Sequence, residues 1–138
     1  MAGIVGFPFD SIYNATKWAL EGWSESLYYE LAPYGIQVKT VAPGVILTDF
    51  GIRSLDKVQL PEYEQLSKDF ISYMMSDLSK LSTAEQIAEI VFEAATDDKN
   101  QIRYVAGKDA EEMYALRLEQ GNEGFRMQLS NTLFGNKN

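Results

Sequence analysis

Strand-forming sequence is scarce in this chain, and the scarcity limits the folds open to it. Only residues 36–41 and 102–106 combine β-branched and apolar side chains in the way that strands do. As a parallel pair they would form a two-stranded ribbon, which is not a stable core alone because parallel strands are normally buried on both faces. The sequence therefore predicts an α/β chain whose two strands are too few to form a stable sheet core by themselves.

A long helix is predicted between about Ser11 and Leu31. Apolar residues occur around much of its circumference, so the helix needs cover on more than one side. Asp10 or Ser11 is a good N-cap, and residues 32–35, which include a proline and a glycine, should end the helix. We assign its aromatic side chains to a core or an interface rather than to nucleotide stacking: Trp18, Trp23, Tyr28 and Tyr29.

Tyr13 and Lys17 lie four residues apart in this helix, a spacing that places both side chains on one face, one turn apart. A neighbouring ammonium group favours the phenolate, so we expect the pKa of Tyr13 to fall from about 10 toward the physiological range. Such a tyrosine can exchange a proton with a carbonyl or alcohol oxygen near neutral pH. From the spacing alone, an ordinary exposed helix pair is the other interpretation.

The segment after the first strand contains a turn and then helical spacing. Pro43 and Gly44 end the strand, and glycine allows a ligand to approach the backbone closely. Turn formation alone explains these two residues equally well. Residues 49–81 place apolar side chains at three- and four-residue spacings, which predicts one or two amphipathic helices. We assign the methionines and aromatic residues of this segment to packing and name no substrate residue there.

The C-terminal part carries helix start and stop signals. Two overlapping capping boxes of the form S/T-x-x-E/Q begin at Ser82 and Thr83 and predict a helix. Asp109 is a candidate cap for the helix after the second strand, and the glycines at 121 and 124 should break that helix. A short final helix is expected beyond them.

The composition excludes several kinds of function. The chain has 138 residues without a repeat or linker, so we expect a single unit over residues 1–138. It contains no histidine and no cysteine, which excludes serine–histidine triads and thiol nucleophiles, and no metal site is expected. A net charge of −8 argues against nucleic acid as a partner. With no membrane-length apolar run and no signal peptide in the sequence, we expect a soluble cytoplasmic protein without a membrane partner.

In combination, these segments resemble the short-chain dehydrogenase/reductase family. Tyr13 and Lys17 match the Y-x-x-x-K motif of that family, and residues 43–48 match its P-G-x-I-x-T segment. Residues 83–94 and 103–110 resemble its later helix and last strand. The resemblance covers nearly the whole chain, in the right order. It implies the C-terminal part of a Rossmann-like, doubly wound parallel sheet.

The resemblance also implies a cofactor, NAD or NADP, and a mechanism. Tyr13 would act as general acid or base during hydride transfer involving a small carbonyl or alcohol substrate. Lys17 would lower the pKa of Tyr13 and bind the nicotinamide ribose. Residues 49–81 would form a mobile substrate lid, and residues 6–9 would either flank the substrate or pack on the helix. The implied catalytic residues are Tyr13 and Lys17, and the implied cofactor-binding residues are Tyr13, Lys17, Pro43, Gly44, Val45, Ile46 and Thr48.

The glycine-rich turn with which the family binds the pyrophosphate has no match in this sequence. The catalytic serine of the family would map immediately upstream of Met1. By resemblance, we expect the C-terminal half of a dehydrogenase that is inactive alone and that forms a homo-oligomer or joins a missing N-terminal half. The alternative is a non-catalytic α/β module that self-associates through exposed helix and sheet surfaces.

Overall fold

The structure is a computed structural model that describes residues 1–48 and 60–135. It contains four helices and two strands within the described residues, and two of the helices lie between the strands in the chain. Their bounds are α1 Ser11–Leu31, β1 Thr40–Pro43, α2 Glu64–Met74, α3 Ala84–Thr96, β2 Arg103–Ala106 and α4 Lys108–Phe134. Short 3₁₀ turns occupy Ala32–Tyr34, Pro61–Tyr63 and Leu78–Lys80. The mostly helical chain with a small parallel sheet is part of a Rossmann-like α/β fold, as predicted.

The two strands pair in parallel, with Thr40 opposite Arg103 and Pro43 opposite Ala106. The pairing confirms the predicted ribbon, but the prediction of where β1 begins is wrong. Pairing starts at Thr40 because the residues that precede β2 form the turn after α3, so residues 36–39 have no strand opposite them in the described structure. A proline is tolerated as the last residue of β1, where its missing N–H removes no internal ladder bond.

The apolar core joins the sheet to α4 and to the N-terminal segment. Its buried members are Ile4, Val5, Ala42 and Phe125, each no more than 5% exposed. Half-buried side chains of α4 pack around them: Met113, Tyr114, Leu116 and Leu129. Burial of large apolar side chains on this scale is what stabilises small domains. The core therefore fixes α4 against the strands.

Helix α1 begins at Ser11 and ends at Leu31, as predicted. The chain leaves it through the turn Ala32–Tyr34 and then Gly35, whose φ of 69° lies in the left-handed region. Glycine adopts this conformation without the steric penalty that other residues carry. Asp10 stands at the N-cap position, but its side chain makes no capping hydrogen bond, so the predicted cap is not formed.

Helix α3 confirms one of the two predicted capping boxes. The Thr83 hydroxyl accepts from the Gln86 backbone N–H at 3.3 Å, and the Gln86 side-chain oxygen accepts from the Thr83 N–H at 2.9 Å. Two backbone donors that would otherwise be unsatisfied at the helix start are thereby paired.

Helix α4 differs from its prediction at the start and agrees at the break. It begins at Lys108, after Gly107 at the N-cap position, so Asp109 lies inside the first turn. The predicted Asp109 cap is wrong because the carboxylate accepts a hydrogen bond from Val45 instead. Gly121, with φ 70° and ψ 173°, breaks the helical geometry as predicted, whereas Gly124 remains helical.

The predicted lid is described only in part. Residues 49–59 lie outside the described residues. Between residues 60 and 81, the helix α2 and its flanking 3₁₀ turns confirm the predicted helical character. Phe70 is the buried residue of α2, which is the pattern of an amphipathic helix that packs on one face.

Candidate active site

Tyr13 and Lys17 occupy the first two turns of α1 and share one face, as their spacing predicts. The Lys17 Nζ lies 5.4 Å from the centroid of the Tyr13 ring, and both residues are half-buried. Both side chains line an open cavity of about 1720 Å³ that also reaches the end of β1. A phenol and an ammonium group therefore lie together where one ligand can contact both.

Tyr13 holds its proton more tightly than predicted. Burial of the phenol, and secondarily the negative charge of Asp10, raises the pKa of Tyr13 above its usual value. Both effects penalise the phenolate. The prediction of a lowered pKa is therefore wrong for this chain, because Lys17 stacks over the ring and does not offset the burial. The Tyr13 hydroxyl therefore keeps its proton at neutral pH.

The backbone that follows β1 extends the sheet by a short bridge. The Gly44 N–H donates to the Ala106 carbonyl at 2.9 Å. The Val45 carbonyl accepts from the Ser82 N–H at 3.2 Å, and the Leu47 N–H donates to the Ser82 carbonyl at 2.9 Å. These bonds hold the loop against β2 and against the residue that precedes the α3 cap.

Asp109 adds a side-chain contact to this loop. The Val45 N–H donates to Asp109 Oδ2 at 2.7 Å, a bond strengthened by the carboxylate charge. Gly44 lies so close to the carboxylate that a methyl group there would overlap it. A methyl group on Gly107 would lie 2.7 Å from Ser82 Oγ and 3.0 Å from Asp109 Oδ1. The hydrogen bond between Val45 and Asp109 was not predicted from the sequence, because no local pattern joins residues 64 positions apart.

The structure brings the residues of both predicted motifs to the same cavity. Tyr13 and Lys17 reach it from α1, and the loop after β1 reaches it from the carboxyl end of the sheet. The loop residues that line it are Pro43, Gly44, Val45, Ile46, Leu47 and Thr48. Twenty-five residues lie between Lys17 and Pro43 in the chain, so the convergence of the two motifs is a property of the fold.

An aromatic wall, which consists of Phe7, Phe9, Tyr63 and Phe70, joins the loop before α1 to the α2 region. The ring centroids of Phe7 and Phe70 are 6.0 Å apart, and those of Phe9 and Tyr63 are 5.9 Å apart. Phe9 has a φ of 67°, which is strained for a residue with a side chain. The Asn14 side chain donates to the Phe7 carbonyl at 3.0 Å and ties this wall to the helical turn that carries Tyr13.

Neither a metal-binding cluster nor a membrane-spanning helix is found among the described residues. Within residues 1–48 and 60–135, no cluster of three acidic side chains could hold a metal ion. Across the same ranges, none of the helices combines the length and apolarity needed to cross a membrane. The polar groups that line the cavity include the Tyr13 hydroxyl, the Lys17 ammonium group and the carboxylate of Asp109.

Comparison with known proteins finds similarity to dehydrogenases and oxidoreductases. Residues 1–59 match the sequence model of the short chain dehydrogenase family. An uncharacterised oxidoreductase of Schizosaccharomyces pombe is 32% identical over 117 residues, which cover 85% of this chain and 50% of that protein. The uncharacterised oxidoreductase YusZ of Bacillus subtilis is 33% identical over 114 residues, covering 78% of this chain and 41% of that protein.

Retinol dehydrogenase 8 of Bos taurus is 35% identical over 71 residues, which cover 51% of this chain and 23% of that protein. The chain spans about half the length of the first curated relatives it matches. The similarity includes the Y-x-x-x-K helix and the loop after β1, the two motifs that the structure brings to one cavity. The chain therefore belongs to the short-chain dehydrogenase/reductase family.

Proposed function

We propose that this chain contributes the proton-transfer half of an NAD(P)-dependent oxidoreductase acting on a small carbonyl or alcohol. The observation that supports this most directly is the convergence of Tyr13, Lys17 and the loop after β1 on one cavity. Relatives named L-2,3-butanediol dehydrogenase and 3-ketodihydrosphingosine reductase have names that refer to alcohol and ketone substrates. The substrate class proposed here follows from that chemistry and from Tyr13.

The donor set fits the nicotinamide end of such a cofactor. Lys17 can donate to ribose hydroxyls, and the Thr48 hydroxyl and the Ile46 N–H can pair with a carboxamide. Gly44 keeps the loop free of a side chain at its closest approach to α4. No glycine-rich turn for a pyrophosphate occurs in the sequence, so the fit covers the nicotinamide end and does not distinguish NAD from NADP.

In the proposed reaction, the bound nicotinamide supplies or accepts the hydride. Tyr13 donates its proton to the carbonyl oxygen during reduction and accepts one from the hydroxyl during oxidation. The raised pKa of Tyr13 keeps the phenol protonated at neutral pH, as the donor role requires, and also makes it a weaker acid than an unperturbed tyrosine. The Lys17 ammonium group lies 5.4 Å from the ring centroid, and its attraction for the phenolate would partly oppose the penalty of burial once the proton has moved.

We further propose that the chain is inactive without polypeptide that carries the pyrophosphate-binding turn. The test compares NAD(P)H oxidation by the chain alone and by the chain joined to the N-terminal half of the fission yeast relative. A panel of ketones and aldehydes serves as substrate. Turnover by the chain alone would contradict the proposed inactivity.

Tyr13→Phe removes the transferred proton and keeps the ring. We expect it to lower the rate of the completed enzyme by about 10²–10⁴-fold without a change in thermal stability. Tyr34→Phe is the matched control, because Tyr34 is 78% exposed in the turn after α1. A Tyr13→Phe enzyme as active as the Tyr34→Phe enzyme would overturn the proposed role.

A second candidate function is a non-catalytic module that self-associates. Self-association is also compatible with an enzyme that forms a homo-oligomer. The observation in its favour is the exposure of large apolar side chains along α1: Trp18, Leu20, Trp23 and Tyr29. Exposed apolar patches of this kind mark interaction surfaces. Concentration-dependent sedimentation together with no nicotinamide binding would favour the module, whereas nicotinamide binding would favour the enzyme.

A further inference from the structure

The carboxylate of Asp109 lies in a position that stability alone does not explain. Its Oδ2 accepts from the Val45 N–H, but its Oδ1 is buried and has no hydrogen-bond partner in the described structure. A buried carboxylate oxygen without a partner lowers stability, because the group has lost water without full replacement. Such an uncompensated group in a folded protein calls for an explanation.

The glycines around Asp109 show that the surrounding backbone is shaped to accept it. Gly44 has no room for a methyl group because the carboxylate occupies that space. Gly107 combines a left-handed φ of 98° with a close approach to Ser82 and Asp109. Two strand ends and the first turn of α4 therefore meet at one carboxylate.

The loop after β1 has most of its backbone groups occupied as a result. The Val45 N–H bonds to Asp109, and the Val45 carbonyl and the Leu47 N–H bond to Ser82. Among the described residues, none accepts a hydrogen bond from the Ile46 N–H, and Ile46 lines the cavity. The contacts on either side of Ile46 thus fix the loop and leave this donor for a ligand.

We propose that Asp109 is a positioning residue for the loop after β1. By holding the Val45 N–H, its carboxylate sets the orientation of the adjacent peptide and presents the Ile46 N–H to an amide carbonyl oxygen of a ligand in the cavity. The ligand part of this inference rests on the proposed function, which supplies the nicotinamide carboxamide. The loop part rests only on the contacts of Asp109.

Amide hydrogen exchange on the full chain, followed by NMR, tests the loop part. In Asp109→Ala, we expect the exchange of the Val45 amide to accelerate by about tenfold or more, because its charged acceptor is gone. Asp109→Asn keeps an acceptor oxygen and should restore part of the protection. Glu111→Ala, an exposed acidic residue in the same helical turn, is the matched control and should leave Val45 unchanged. Unchanged Val45 exchange in Asp109→Ala would overturn the proposal.

A double-mutant cycle gives a second, independent reading. Gly44→Ala forces its methyl group onto the carboxylate. We therefore expect it to raise the equilibrium constant of unfolding strongly in the wild-type background. In the Asp109→Ala background the overlap is removed, and the same change should be at least about tenfold less disruptive. Additive effects would show that Gly44 and Asp109 do not share this space, and they would overturn the proposal that Asp109 positions the loop after β1.

Binding of nicotinamide mononucleotide tests the ligand part, because this probe does not need a pyrophosphate-binding turn. We expect Asp109→Ala to raise its dissociation constant by about tenfold or more, with Asp109→Asn intermediate and Glu111→Ala unchanged. Equal binding by wild type and Asp109→Ala would overturn the positioning role. If the wild type binds no probe, the proposed function fails at this site, and the exchange and cycle results still decide whether Asp109 holds the loop.

Discussion

Helix α1 and the carboxyl end of the sheet are built in opposite ways. Over its whole length α1 buries only Asn14 and Ser24, both polar, and leaves Trp23 60% exposed. At the sheet end, Ala106 and Ala110 have no exposed surface at all. The loop there is held by hydrogen bonds to β2, to the backbone of Ser82 and to the Asp109 carboxylate. The described residues thus determine the loop side of the cavity far more completely than the Tyr13 side.

The contacts that do hold α1 are mainly polar. Arg103 Nε lies 2.9 Å from Glu21 Oε2, which ties the middle of the helix to β2. The Arg117 guanidinium lies 5.5 Å from the Trp18 ring, which ties the helix to α4. A helix with Trp23 on its outer side and an ion pair beneath it is a helix that needs another surface. The comparison teaches that Tyr13 depends on cover beyond these contacts, whereas the loop after β1 does not.

The largest expected contrast comes from two aromatic truncations. Phe125→Ala removes a ring that is 4% exposed in the core and should lower the free energy of unfolding by about 3–5 kcal/mol. Trp23→Ala removes a larger ring from α1 and should lower it by less than about 1 kcal/mol. Urea unfolding followed by circular dichroism measures both.

Sedimentation of the same two variants sharpens this comparison. If α1 is covered by a second copy in solution, Trp23→Ala should reduce association at concentrations where the wild type associates. A Trp23→Ala variant as destabilised as Phe125→Ala, with no change in association, would show that α1 is buried within one chain and that the contrast between the two regions is wrong.

A smaller effect is expected from the ion pair at the amino end of the sheet. Lys39 Nζ lies 2.7 Å from Asp97 Oδ1, and the Tyr104 hydroxyl donates to Asp97 Oδ2 at 2.7 Å. These groups, Lys39 foremost, hold the pKa of Asp97 well below its usual value. A carboxyl whose pKa is lowered by folding stabilises the protein above its unfolded pKa of about 4, and this stability is lost as the pH falls below it.

Asp97→Asn should therefore lower the melting temperature by several degrees at neutral pH and should flatten its decline under acid conditions. Glu64→Gln is the control, because its ion pair with Lys68 is largely exposed and contributes little. Melting temperatures measured from neutral pH down to about pH 3 provide the test. An acid decline as steep in Asp97→Asn as in the wild type would assign the pH dependence to other carboxylates.

Sequence alone was sufficient where the signal is local. The bounds of α1, the left-handed Gly35, the capping box at Thr83 and the break at Gly121 were each predicted from neighbouring residues, and each is confirmed. The pairing of Tyr13 with Lys17 on one face belongs to the same class, because helical spacing determines it.

Sequence was insufficient where the outcome depends on contacts between distant residues. The start of β1 is set by the residue opposite it in β2, and helix-start rules could not reveal that Asp109 bonds to Val45. The pKa of Tyr13 was predicted from Lys17 alone, whereas burial by the folded chain has the larger effect and the opposite sign. The strand register, the long-range hydrogen bond of Asp109 and the pKa of Tyr13 can be read only from the packed structure.

The last effect we expect is local and concerns how helix α3 begins, next to the loop after β1. Helix α3 starts with a complete capping box and directly follows Ser82, which is bonded to the loop after β1. Thr83→Ala removes the side-chain acceptor and should lower the free energy of unfolding by about 1 kcal/mol, with faster exchange of the Gln86 amide. Thr83→Ser keeps the oxygen and should retain most of the stability. If serine is as damaging as alanine, the threonine methyl group rather than the cap stabilises this junction, and the loop's anchorage at Ser82 does not depend on the helix start.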